Sequence, residues 1–167
     1  FISEFVSDAR GQAMANLGAE VIKVKGNYEK SLIECIKQST ENDWQIVQDV
    51  AWDNYLLVPK YTMAGYSVMM KEIFDQLQNN KITHIILQAG VGGLAASFAA
   101  YCRKKLGYSP IIIIVEPSYA PCLQRSIEMG RPTGVKGPAS NMGRLDCKFP
   151  SRQAFYSLSK TANAFVS

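Results

Sequence analysis

The sequence predicts an α/β fold: a parallel sheet flanked by helices, in a chain that is itself incomplete. Helical and extended hydrophobic periods alternate along it, and no hairpin signal separates neighbouring extended runs. The run Ile111-Ile112-Ile113-Ile114 is unbroken, the mark of a strand covered on both faces of a parallel sheet. A dense glycine run, Gly90-Val91-Gly92-Gly93, joins a strand pattern to a helix pattern.

Each element follows from period and punctuation. Ser7 caps a helix that runs to Leu17 and stops at Gly18. Glu20 to Lys25 alternates around Val21 and Val24 and reads as a strand. Asn27 caps a second helix, with Tyr28, Leu32 and Ile36 on one face. Trp44 to Val47 reads as a short strand, and the polar-aromatic stretch from Gln48 to Pro59 as a functional loop. Thr62 to Gln78 is helical, its buried stripe being Tyr66, Met70, Ile73 and Leu77. Ile82 to Leu87 forms a buried strand, followed by the glycine loop and a helix from Leu94 to Leu106 that Gly107 ends. Pro110 to Val115 is the next strand, and Ala120 to Met129 a helix stopped at Gly130. Beyond Gly130 the sequence reads as rich in loops.

Composition excludes several classes. With 47% apolar residues the 167-residue chain can build a core, so it is not a disordered segment. A net charge of +4, with its densest basic run at Arg103-Lys104-Lys105, is too mild for a nucleic-acid binder. Charged residues make up only 19%, below the roughly 25% of an ordinary soluble domain, which points to surface covered by another domain or chain. The uncharged stretch from Thr83 to Cys102 is broken by Gln88 and the glycines, so it reads as two elements rather than a membrane span. The single histidine, His84, has no Cys or Asp at ligand spacing, so no metal site is expected. The chain opens on Phe1-Ile2 without Met or signal peptide and closes in what looks like mid-element, as an excerpt of a longer protein does.

A strand, a glycine-rich turn and a helix together form an anion site. Backbone N–H groups at the helix start point outward, the helix dipole favours negative charge, and glycine lets a phosphate approach closely. Gly90, Val91, Gly92, Gly93 and Leu94 are therefore the candidate phosphate-binding residues. Two ligand classes compete for them. Gly90-x-Gly92-x-x-Ala95, with Glu116 closing the next strand about twenty residues on, satisfies the dinucleotide fingerprint. That fingerprint belongs to the first strand–helix–strand unit of a domain, however, and here a long α/β pattern precedes it. A cofactor phosphate is the other class. Asp49 is the leading carboxylate: it follows a strand among Trp44, Val47, Val50, Ala51 and Trp52, apolar neighbours that could raise its pKa, or it serves a turn or cap. Glu116 faces either the ligand or the N-terminus of the next helix. Trp52, Tyr55 and Tyr66 fit packing and pocket lining equally.

Gln88-Ala89-Gly90-Val91-Gly92-Gly93, followed after a helix by Ile114-Val115-Glu116-Pro117, resembles the phosphate-loop unit of fold-type II pyridoxal-phosphate enzymes, the relatives of tryptophan synthase β and of serine and threonine dehydratase. Within that class, Ile46-Val47-Gln48-Asp49-Val50-Ala51-Trp52-Asp53-Asn54-Tyr55, then Val58-Pro59 and Met63-Ala64-Gly65-Tyr66, is similar to the diaminopropionate ammonia-lyases. Asn16-Leu17-Gly18-Ala19-Glu20 and Cys122-x-x-Arg125-Ser126 fit the same family, so the resemblance runs in order along the whole chain.

The resemblance implies conversion of 2,3-diaminopropionate to pyruvate and ammonia with pyridoxal 5'-phosphate as electron sink. It implies that residues 1–55 belong to a small mobile domain and residues 56–167 to the large phosphate-binding domain. Asp49 would lie in the substrate-facing loop, binding the substrate's cationic amine or relaying a proton to it. The Schiff-base lysine of the family lies upstream of the segment matched by Phe1, and the Ser or Thr facing the pyridine nitrogen downstream of Ser167. Lys60 and Lys136 do not match that lysine's context, so this segment alone is expected to be inactive. The complete protein would be a cytoplasmic homodimer with an amino-acid substrate. A cysteine stands in the family at the positions of both Cys122 and Cys147, near the active-site mouth. They are expected close in space, as thiols or a reversible disulfide, with Cys35 and Cys102 isolated and buried on helices. Two other readings stay open: a serine or threonine dehydratase of the same class, and a non-catalytic domain binding a phosphate ligand or dinucleotide.

Overall fold

Ile112 and Ile114 are fully buried while Ile111 between strand and turn is 43% exposed, an alternation set by which side of the sheet the helices cover. The computed structural model describes residues 1–78 and 80–167 and divides them into two compact units, Phe1–Val47 and Gln48–Ser167. The sequence reading set its boundary near residue 55. Within the second unit, the backbone just after Gln48 is hydrogen-bonded at Ala51 to Ser151 and Arg152.

The first unit contains β1 (Ile2–Ser3), α1 (Asp8–Ala15), β2 (Lys23–Val24) and α2 (Tyr28–Glu41). β1 and β2 pair in parallel. Gly18, at φ +89°, ends the α1 turn region in the left-handed conformation that glycine tolerates. The Asn27 side chain accepts the Lys30 N–H at 3.1 Å, the N-cap the sequence announces. Three expectations need correction. The strand from 20 to 25 contracts to Lys23–Val24, because its short parallel partner Ile2–Ser3 offers only two residues to pair with. Trp44 to Val47 is not a strand: it joins no β-ladder among the described residues, and Trp44 and Val47 are exposed. Cys35 is half-buried rather than buried.

The second unit contains α3 (Leu57–Leu77), β3 (His84–Gln88), α4 (Gly93–Leu106), β4 (Ile111–Val115), α5 (Cys122–Met129), α6 (Arg152–Thr161) and β5 (Ala164–Val166). α3 starts earlier than Thr62 because Pro59 falls in its first turn, where the missing N–H has no helical acceptor to lose. Met70 is buried, with Tyr66, Ile73 and Leu77 half-buried on the expected stripe. The strands form a parallel sheet in the order β3-β4-β5. α6 and β5 come from the stretch expected to be loops: Ala154, Phe155 and Leu158 bury one helix face there.

The core lies on one side of the sheet. Ile85, Leu87, Ile112 and Ile114 pack with Ala95, Ala96, Ala99 and Cys102 of α4, Leu123 of α5, and Phe155 and Leu158 of α6. Parallel strands added stepwise in one direction through right-handed crossovers place their helices on one face. The other face carries Ile86, 68% exposed, with Ile111 and Val166. The isoleucine run is therefore covered on one face here, not on both as its unbroken apolarity suggested. At the strand ends away from the glycine loop, Arg103 ties the layer together: its guanidinium donates to Thr161 O and Pro110 O at 2.8 Å and to Asn163 Oδ1 at 2.6 Å.

Among the described residues no helix is long and apolar enough to cross a membrane, and no three His, Cys, Asp or Glu side chains gather as a metal site.

Candidate active site

β3 delivers the chain to Ala89, whose N–H donates to Val115 O at 2.9 Å and so keeps the strand paired up to the glycine loop. Gly92 turns the backbone with φ +96°, a conformation costly for any side-chain-bearing residue, and α4 begins at Gly93. A Cβ at Gly92 would stand 2.9 Å from Leu123 Cδ1 and 3.1 Å from Ala154 Cβ, so α5 and α6 close the space behind the turn. Among the described residues no hydrogen bond has as donor the N–H of Gly90, Val91, Gly92, Gly93 or Leu94. These donors gather at the positive end of the α4 dipole. They suit the terminal phosphate of a cofactor.

A second segment presses on Gly90. The Leu145 Cα, the Arg144 carbonyl and the Cys147 Sγ lie 3.2, 3.4 and 3.1 Å from where a Gly90 Cβ would stand, so a side chain there would require this segment to give. The Cys122 thiol donates to Gly90 O at 3.6 Å. Cys122 and Cys147 thus meet at Gly90, as expected of this pair, and neither forms a disulfide. Burial and the neighbouring Glu116 push the Cys122 thiol far up. Lys148 fixes the covering segment: its Nζ pairs with Asp146 at 2.5 Å and donates to Tyr119 O at 2.9 Å and Pro138 O at 3.0 Å.

Glu116, 4% exposed, ends β4 and turns to the start of α5. Its two oxygens accept the N–H groups of Leu123 and Gln124, each at 2.7 Å. Burial raises its pKa, and these two N–H groups act against the shift. A dinucleotide fingerprint needs this carboxylate for a ribose, yet both of its oxygens are engaged by α5.

Asp49 stands exposed on the segment before α3, while its neighbours Val50 and Ala51 are buried. The apolar envelope expected around Asp49 therefore closes over the next two residues instead. Its own N–H donates to Gln48 Oε1 at 2.6 Å. Beyond it, Trp52 and Tyr55 stack at 4.1 Å between ring centroids, and the Tyr55 hydroxyl accepts the Gln48 N–H at 2.9 Å, so this loop is an ordered turn. The turn is joined to the glycine loop through Ser151 at the start of α6. Ser151 N–H donates to Val91 O at 2.9 Å, and Ser151 Oγ accepts the Ala51 N–H at 3.2 Å.

Asp49 and residues 90–94 are the expected site residues that this frame connects; Glu116 stands behind them, against α5. Lys148 and Ser151 escaped sequence reasoning. Pro150-Ser151 before the Ala154, Phe155, Leu158 stripe is a helix-start signal that would have found Ser151. Asp146 is Lys148's near neighbour in sequence, but nothing local announces its other two acceptors, the carbonyls of Tyr119 and Pro138.

An α/β unit with a glycine turn and unengaged backbone donors at a helix N-terminus has the geometry that binds phosphate in cofactor enzymes. The family model for pyridoxal-phosphate dependent enzymes matches residues 1–167, and the chain belongs to that family. Within it, the chain is 35% identical over 164 residues to the diaminopropionate ammonia-lyase of Escherichia coli K12, and 33% identical over 165 residues to that of Salmonella typhimurium LT2. It spans 95% of itself and 41% of the length of these curated relatives. The crystal structure of the Escherichia coli enzyme in complex with an aminoacrylate-PLP azomethine reaction intermediate superposes with a TM-score of 0.89 at 31% identity, over 98% of this chain and 42% of that one. The processed form of threonine deaminase isoform 2 from Solanum lycopersicum shares the fold, with a TM-score of 0.81 at 16% identity over 99% of this chain and 46% of that one.

Proposed function

We propose that the complete protein is a pyridoxal-phosphate dependent carbon–nitrogen lyase that converts 2,3-diaminopropionate to pyruvate and ammonia. The observation that carries this reading is the set of five N–H groups at residues 90–94 that donate to nothing within the described chain. They match a phosphate in number and in charge. Bound there, the cofactor supplies an electron sink for the carbanion formed at the substrate α-carbon. The chain's own residues do the rest of what falls to this segment. Residues 90–94 hold the phosphate by backbone N–H groups, while Gly90 and Gly92 let the neighbouring segments pack close against the turn. Asp49, exposed to solvent, binds the cationic amine of the substrate or passes a proton to the departing β-amine. Glu116 keeps α5, and with it Leu123, against the back of Gly92. On this reading Glu116 supports the cofactor site from behind.

The first unit belongs to a small mobile domain and the second to the large domain. The free thiols suit a reducing cytoplasm. A homodimer suits the low charge content and the exposed Leu57, Tyr61 and Val68 along α3.

Turnover by the complete protein tests the reading. Loaded with pyridoxal phosphate, it should release pyruvate from 2,3-diaminopropionate with a far higher kcat/KM than from serine or threonine. A preference for either hydroxy amino acid makes it a dehydratase instead. Asp49→Asn should lower kcat by about 10² or more, the usual worth of a proton-transfer group.

A further inference from the structure

Ser151 occupies the N-cap position of α6, where a serine oxygen ordinarily accepts an N–H of its own first turn. It makes no such bond. Its Oγ instead accepts the N–H of Ala51, far away in sequence, at 3.2 Å. The next residue completes the grip, since Arg152 N–H donates to Ala51 O at 3.2 Å. Ala51 is held by both of its backbone groups, two residues from Asp49. Arg152 also pairs with Asp53, and Gln153 Nε2 donates to Leu56 O at 3.1 Å, which extends the hold along the same loop. On its other side Ser151 donates its N–H to Val91 O in the phosphate cradle at 2.9 Å. Ser151 is fully buried, so no water competes for these bonds.

We propose that Ser151 is a positioning residue for the lyase reaction, setting the Asp49 loop against the phosphate cradle through its diverted cap oxygen. The inference rests on the function proposed above. Its two arms are chemically separable. The arm to Val91 is backbone and survives any non-proline substitution, whereas the arm to Ala51 is the hydroxyl alone. Removing the hydroxyl leaves a buried N–H without its acceptor and frees the Asp49 loop to shift, while the phosphate contacts stay in place. Small displacements of a proton-transfer group are costly to the rate.

The test uses the complete protein loaded with pyridoxal phosphate. Ser151→Ala should lower kcat about tenfold or more with little change in cofactor affinity. Ser151→Thr, which keeps the hydroxyl, should restore most of it. In an Asp49→Asn background Ser151→Ala should add no further loss, and hydrogen exchange at the Ala51 amide should quicken in Ser151→Ala alone. An equal loss in both backgrounds, an unchanged kcat, or no rescue by threonine in a folded variant overturns the proposal. Where the alanine variant does not fold, Ser151→Thr and Ser151→Cys are compared in both backgrounds by the same criterion. A protein that loosens at Ala51 yet never turns over diaminopropionate removes the proposed function and makes Ser151 a structural tie only.

Discussion

The Leu123 N–H donates to a carboxylate oxygen of Glu116 at 2.7 Å, so the buried end of β4 caps the first turn of α5 with a group that titrates. Burial is the larger influence and raises the Glu116 pKa above the ordinary glutamate value. A carboxyl whose folded pKa is raised binds its proton more tightly in the folded state. Its contribution to stability is therefore complete below the ordinary value and is lost as pH rises through the raised one. We expect the stability of wild type relative to Glu116→Gln to fall across that window and to be level on either side. Thermal melts of both proteins from about pH 4 to pH 8 check this, and a difference that stays constant with pH contradicts it.

Gly92 and Gly93 should respond very differently to the same substitution. Gly92→Ala forces a side chain onto φ +96° and into Leu123 and Ala154, and should cost about 1–3 kcal/mol. Gly93→Ala meets nothing nearer than Met63 Cγ at 3.8 Å and should stay within about 0.5 kcal/mol of wild type. Denaturant melts separate the two.

Thiol labelling should follow burial. Cys102 is buried, with its pKa pushed up to about 11, and Cys122 is pushed further still by burial and by Glu116. Half-buried Cys35 and Cys147 should react first with an alkylating agent, and Cys122 and Cys102 only on unfolding. Mass spectrometry of a labelling time course reads the order, and early modification of Cys122 would refute it.

Lys148→Met should destabilise the protein by about 2–4 kcal/mol, because it leaves Asp146 and two carbonyls of the turns around Gly90 without their partner. Pyridoxal phosphate should also leave the loaded protein faster, as the segment on Gly90 loosens. Replacing Asp146 as well should recover part of the stability. Denaturant melts and cofactor release by dialysis measure the two effects.

Much of the second unit is legible locally. Gly107 and Gly130 stop helices where a left-handed residue is needed, and the run from Gly90 to Gly93 marks its turn by composition alone. What escapes is what depends on partners far away. Residues 20–25 alternate like a strand but find only Ile2–Ser3 to pair with. The isoleucines of β4 look buried on both sides because periodicity reports apolarity, not which face a neighbour covers. Asp49 sits among apolar residues in sequence, yet the chain turns Val50 and Ala51 inward and the carboxylate out. Glu116 was left between two roles, and only the placement of α5 shows its oxygens engaged there. Ser151 acts through bonds to Val91 and Ala51, and Lys148 through a bond to Tyr119, residues tens of positions away that no window of sequence displays.

The bare face of the sheet has a consequence for where ligands can enter. β3, β4 and β5 step in one direction, so winding never reverses within this segment, and β3 keeps a free edge. A strand added to that edge through a helix laid over Ile86 reverses the winding at β3. In α/β sheets such a reversal splays the flanking loops apart at the carboxyl ends of the strands and opens a crevice there. The carboxyl end of β3 is Gln88, two residues before Gly90. Covering Ile86 in this way thus places the topological switch point of the sheet directly at the phosphate cradle.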